Sequence, residues 1–150
     1  MESSGEIKKR LRELFEAQKL AVLSTHDNGQ PYASLVAFAV TSDLKYFLFV
    51  TPKTTRKFAN LTADPRVAFM VDSRSNEDAD FHRAIAVTVT GTAGSIKKNA
   101  HPDLLRLYLA RHPHLEEFVR APTAALVRVA VSRYYMVHHF QHVLELDISS

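Results

Sequence analysis

The chain has 150 residues, 46% apolar and 23% charged, with no Cys and no Trp. That length and apolar share predict one globular domain with a real core and exclude intrinsic disorder, while the missing Cys excludes a disulfide framework, a thiolate nucleophile and a Cys-bound metal. The 19 Lys and Arg against 16 Asp and Glu leave a net charge of +3, too small and scattered an excess for a nucleic-acid face but compatible with a small anionic ligand.

No apolar run reaches the roughly 18–20 residues that span a bilayer, and the start, MESSGEIKKRLREL, has no signal-peptide pattern. A cytoplasmic protein with no membrane partner is expected. Ser3 and Glu6 have capping-box spacing, and Ile7, Leu11, Leu14 and Phe15 share one helical face. They predict an amphipathic helix over about 4–18 that covers one end of a sheet.

Leu20–Thr25 reads as a strand, followed by Asp27-Asn28-Gly29, a type I′ hairpin signal. The second strand, Pro31–Val40, is apolar on both faces from Leu35 onward, which predicts burial on both, one face by another subunit. Lys45–Val50 completes a three-stranded meander. Thr54 or Thr55 is the expected N-cap of a short helix through Ala63, which Asp64-Pro65 ends. Arg66–Asp72 is a fourth strand and 73–80 a polar, acidic loop. Ala84–Thr92 is a fifth strand, with Gly91 marking a bulge or bend. Residues 101–121 read as helical, broken at Pro113. A sixth strand covers Ala124–Val137. Barrel strands over about 20–95 and 124–140, with a helical insertion at 101–121, predict a mainly β fold: a closed or nearly closed antiparallel barrel.

The strongest chemical signal is Thr51-Pro-Lys-Thr-Thr-Arg-Lys57. Hydroxyls, free amides at a helix start, Arg56 and Lys57 together suit a phosphate monoester. A solvated basic turn is the bland alternative. His138, His139 and His142 crowd the last strand. In one continuous strand His138 and His142 would lie about 13 Å apart, at about 3.3 Å per residue, with His139 on the other face. No metal set follows. Neither a G-x-S-x-G elbow nor a Gly-rich nucleotide loop is present, so catalytic residues stay unassigned and any chemistry is expected to be borne by a cofactor.

The succession LAVLST, DNGQP, YASLVAFAV, KYFLFV and TPKTTRKFANLTADPRVAF resembles the pyridoxamine 5′-phosphate oxidase-like FMN-binding split barrels, over roughly residues 6–95. The resemblance implies a six-stranded antiparallel split barrel, a homodimer with FMN at the subunit interface, and a small-molecule oxidoreductase. It implies that Ser34, Leu35, Val36 and Ala37 contact the isoalloxazine and ribityl groups. Val50 and Thr51 then stand beside the cofactor, and Thr55, Arg56 and Lys57 hold its phosphate. The oxidase's early strand Arg falls near Ser34 or Leu35 here, its fifth-strand Gln falls on Ala86, and its Trp-containing substrate segment has no match. Oxidation of pyridoxine phosphate is therefore not expected. A module that holds FMN without turnover, and a barrel for deazaflavin F420 or haem, are the alternatives. Haem is the one use found for the terminal His residues.

Overall fold

The computed structural model describes residues 2–138 and 142–148. Helix α1 (Ser4–Ala17) starts where Ser3 Oγ accepts the Glu6 amide at 3.2 Å, and it buries Ile7, Leu11, Leu14 and Phe15. Strands β1 (Leu20–Asp27) and β2 (Gln30–Val40) form the expected hairpin. Asn28 and Gly29 take φ of 49° and 86°, the positive pair that a type I′ turn demands. Then follow β3 (Tyr46–Pro52), α2 (Arg56–Ala63) and β4 (Arg66–Asp72). The loop at 73–80 is organised by Asp80, whose carboxylate accepts from the Ser75 amide, the Ser75 hydroxyl and the Asn76 amide; a single helical turn, α3 (Asp80–Arg83), leaves it.

Strand β5 (Ala86–Ile96) runs past the expected end at Thr92. Its register against β6 shifts between Thr90 and Gly91. A Cβ on Gly91 would stand 2.5 Å from Ala130 O, so only glycine allows this approach. The helical segment resolves into α4 (Pro102–Arg111), a 3₁₀ turn (Pro113–Leu115) and α5 (Glu116–Arg120). Strand β6 (Ala124–His138) is followed by β7 (His142–Asp147), which sequence reasoning did not assign.

The ladder order β3-β2-β1-β4-β5-β6 closes through β3–β6 into a six-stranded antiparallel barrel. Strand β6 is long enough to take two partners on one side. Its first half pairs with β3, from Tyr46↔Ala130 to Pro52↔Ala124; its second half pairs with β7, from Arg133↔Asp147 to His138↔His142. Strands β2 and β3 pair only at Phe38↔Phe49, Ala39↔Leu48 and Val40↔Phe47. From Gln30 to Ala37, β2 is paired to β1 alone, and the barrel is split along that edge.

The core fills the barrel. Phe15 of α1 meets Phe38, Phe47 and Tyr134 with ring centroids 6.1, 5.2 and 5.8 Å apart, plugging one end. Helix α2 covers the opposite end, where Asn60 Nδ2 donates to the buried Thr25 Oγ1 at 3.1 Å. A second apolar cluster lies outside the barrel, where Tyr108 and Val119 cover Ala39, Leu48, Val50 and Leu126. The outer face of β2 is thus covered at Ala39 by the chain's own α4, and it stays open at Leu35. Helix α4 is fastened to β2 by Tyr108 Oη, which donates to Ala37 O at 2.9 Å, and by His112 Nε2, which donates to Phe38 O at 2.8 Å. Burial pushes the Tyr108 phenol up to about 12. Arg111 binds α4 to α1, donating to the carbonyls of Phe15, Glu16 and Gln18 at the C-terminal end of α1.

Two outcomes follow. Burial, helped by the charges of Arg111, His114 and Lys19, holds the His112 pKa below its ordinary 6.5. The unfolded chain therefore binds the proton first, and stability falls as pH drops below about 6.5. Urea titrations between pH 7.5 and 5 should show this loss, and His112→Gln, which keeps a donor, should flatten it. At the start of α2, Thr55 Oγ1 accepts the Phe58 amide at 3.3 Å. Thr55→Ala should cost about 1 kcal/mol in a denaturation curve, and Thr55→Ser should restore it.

Candidate functional site

The split places β2 on one side and the β3–α2 corner on the other. The corner is built by hydroxyls. Thr51, fully buried at the end of β3, has its Oγ1 2.8 Å from Thr55 Oγ1, and Thr55 also donates to Pro52 O at 3.0 Å. These bonds fix the turn, so α2 begins with its free amides and its positive dipole end beside the open edge of β2. The next two residues are Arg56 and Lys57, neither of which forms an ion pair among the described residues. Arg56 reaches across the split, its Cζ 5.8 Å from the centroid of the Tyr32 ring on β2. A cavity of about 370 Å³ lies here, lined by Thr54, Thr55, Arg56 and Asn60 and, from the end of β1, by Asp27.

The β2 residues divide by face. Val36 is 5% exposed and belongs to the barrel core, so it can offer a ligand only its backbone. Ser34 shares that inward face, and its Oγ is buried without a hydrogen-bond partner. Leu35 and Ala37 point outward; Leu35 is 63% exposed. Val50 faces the α4–α5 cover and stands apart from the corner that Thr51 and Thr55 make. The structure thus brings Thr51, Thr55 and Arg56 together opposite Tyr32 on β2, and it separates Val36 and Val50 from them by facing their side chains into packed apolar clusters.

Tyr32 and Asn60 escaped sequence reasoning. Both signals were present, an aromatic residue two places before Ser34 on the same strand face and an Asn inside a short helix. Only the fold brings them to this corner. The Asp64-Pro65-Arg66 run serves structure. The Arg66 fork, at 3.0 and 2.7 Å, holds the Asp64 carboxyl far below the usual carboxylate range, and His26 Nε2 lies 3.0 Å from it.

Elsewhere, a concavity of about 590 Å³ on the outer wall is lined by Ser24, His26, Arg66 and Thr90. His26 Nδ1 accepts the Gly29 amide at 3.3 Å and its Nε2 donates to Asp64, so both ring nitrogens are committed. His138 and His142 differ from the expectation of a 13 Å separation. They are cross-strand partners with ring centroids 5.0 Å apart, because they stand on two strands, β6 and β7, that pair antiparallel. His139 lies outside the described residues. Among the described residues, no three His, Asp or Glu side chains gather as a metal set, and no helix is long and apolar enough to cross a membrane.

Among solved structures, the heme binding protein from Mycobacterium smegmatis superposes with a TM-score of 0.81 at 17% identity, covering 98% of this chain and 59% of that one. This chain thus spans about three fifths of that protein's length. A protein related to general stress protein 26, of the pyridoxinephosphate oxidase family, from Clostridium acetobutylicum gives 0.74 at 16% identity, covering 97% of both chains. A FAD-binding protein from Mesorhizobium loti gives 0.68 at 15% identity, covering 85% of this chain and 90% of that one. At such identities the likeness is one of fold. No curated protein matches the sequence. A family model described as pyridoxamine 5′-phosphate oxidase matches residues 7–138, which takes in all six barrel strands and both sides of the split. The chain belongs to the pyridoxamine 5′-phosphate oxidase family.

Proposed function

We propose that this chain binds FMN in the split between β2 and the β3–α2 corner, at the interface of a homodimer, and serves as a small-molecule oxidoreductase. The observation that carries the reading is the Thr51–Thr55–Arg56 corner at the start of α2, opposite an unpaired strand edge. The donor set fits a phosphate monoester. It offers the free amides of a helix N-terminus and two cations without carboxylate partners among the described residues. Asp27 lines the same cavity, so both Arg56 and Lys57 are needed to make the site net positive. The buried Ser34 hydroxyl, without a partner on the β2 side, suits a polar group of the ligand.

Bound FMN supplies two-electron transfer at its isoalloxazine ring. The chain's part is to hold the phosphate, orient the ring along β2 and exclude water. The outward faces of β1, β2 and β4 support the dimer. Leu35, Val22 and Met70 form one cross-strand row, and Leu35 and Met70 are exposed. That is an apolar stripe a second copy would cover.

A second reading has one observation of its own. The paired rings of His138 and His142, together with the heme-binding neighbour, support haem as the ligand. The spectrum separates the readings. Flavin bands near about 370 and 450 nm support FMN, whereas a Soret band lost on His142→Ala supports haem. A flavin that neither NADH nor NADPH reduces under anaerobic conditions would make the chain a carrier or sensor.

Arg56→Ala with Lys57→Ala should weaken FMN binding about tenfold or more for each cation, since a hydrogen bond to a charged group contributes about 1.5–3 kcal/mol. Flavin fluorescence quenching measures it, and unchanged affinity rejects the site. Leu35→Lys should convert the dimer to monomer in light scattering and weaken FMN binding with it; a parent chain that is monomeric when loaded with FMN rejects the interface.

A further inference from the structure

The inference rests on the FMN reading and deepens it. Arg56 is the first residue of α2 and is solvent-exposed, with a long side chain that could take many rotamers. Asp27 lines the same cavity, and a carboxylate is the partner a guanidinium would ordinarily take. Arg56 forms no ion pair with it among the described residues. Its guanidinium lies over the Tyr32 ring instead, 5.8 Å from the centroid, within cation–π range.

The difference matters chemically. A carboxylate would cancel the charge and occupy the N–H fork. A ring face attracts the cation but accepts none of its strong hydrogen bonds and leaves its net charge intact. The contact also joins the two walls of the split, because Tyr32 stands on β2 and Arg56 on α2.

We propose that Tyr32 is a positioning residue for the phosphate: its ring holds the Arg56 guanidinium across the split, away from Asp27, still charged and with donors to spare. Tyr32 thereby acts on the phosphate end of the ligand, through Arg56, and not on the flavin ring.

A double-mutant cycle read by flavin fluorescence quenching tests this. The chains are the parent, Tyr32→Phe, Tyr32→Leu, Arg56→Ala and the Tyr32→Leu/Arg56→Ala pair. The probes are FMN and riboflavin, which lacks the phosphate. Tyr32 is 40% exposed, so the variants should fold, and melting curves check that they do. Tyr32→Leu should weaken FMN binding about two- to fivefold, the size of an exposed cation–π contact. Tyr32→Phe should bind as the parent does. The loss should vanish in the Arg56→Ala background, and riboflavin binding should not change. Equal FMN affinity in parent and Tyr32→Leu overturns the assignment, as does a loss that persists without Arg56 or one shared by riboflavin. A parent that binds no FMN removes the proposed function itself, and this assignment with it.

Discussion

Strand β3 is paired along its whole length on one edge and only in part on the other. It pairs with β6 from Tyr46 to Pro52 but keeps β2 only at its first turns of the ladder, up to Phe49. Barrel closure through β3–β6 removes two sheet edges, and the cost is a β2 edge left without a strand partner from Gln30 to Ala37. The chain meets part of that cost itself. Tyr108 of α4 donates to the carbonyl of Ala37, just where β2 and β3 part, and His112, which follows the helix, donates to that of Phe38. Below them the edge stays open, and there the hydroxyl corner and the Arg56–Tyr32 contact sit. The shortness of the β2–β3 ladder therefore leaves both the cleft and the strand edge that the helical cover partly meets.

The family segment from Thr51 to Val67 divides into parts with different jobs. Thr51 and Thr55 shape a turn, Arg56 and Lys57 carry uncompensated charge, and Asn60 seats the helix on Thr25. Asp64 and Arg66 then lock the exit from the helix, with His26 as a third member. On the strand side, Ser34 presents a buried hydroxyl without a hydrogen-bond partner.

Local signals made much of this legible beforehand. The N-cap at Thr55 and the Asn28-Gly29 turn rest on interactions within a few residues, and a glycine inside an alternating strand marks the bulge at Gly91 although its cause, the approach to Ala130, is distant. What stayed hidden depends on distant parts of the chain. The doubly apolar β2 suggested a partner subunit, yet a single sequence cannot tell whether the cover of Ala39 comes from α4 of the same chain or from a second one. The alternation of β6 does not reveal that its partner changes from β3 to β7 halfway along. The separation of about 13 Å holds for one continuous strand at about 3.3 Å per residue, whereas His138 and His142 stand opposite each other on two paired strands. Val36 and Val50 sit in a binding segment by sequence, but strand alternation turns their side chains into apolar clusters.

The β3–β6 closure also governs how the molecule can come into being. It joins the first third of the chain to the last, so the hairpins β1–β2 and β4–β5 can form early while the ring cannot shut until β6 exists. High contact order of this kind slows folding to the millisecond-to-second range. In that interval Phe47, Phe49 and Val127, the apolar lining of the closing ladder, are uncovered along unpaired edges. The ladder that closes the barrel thus sets the period in which a nascent chain is most exposed to aggregation. A variant that weakened β3–β6 pairing would show its defect in yield and refolding before it showed in ligand affinity.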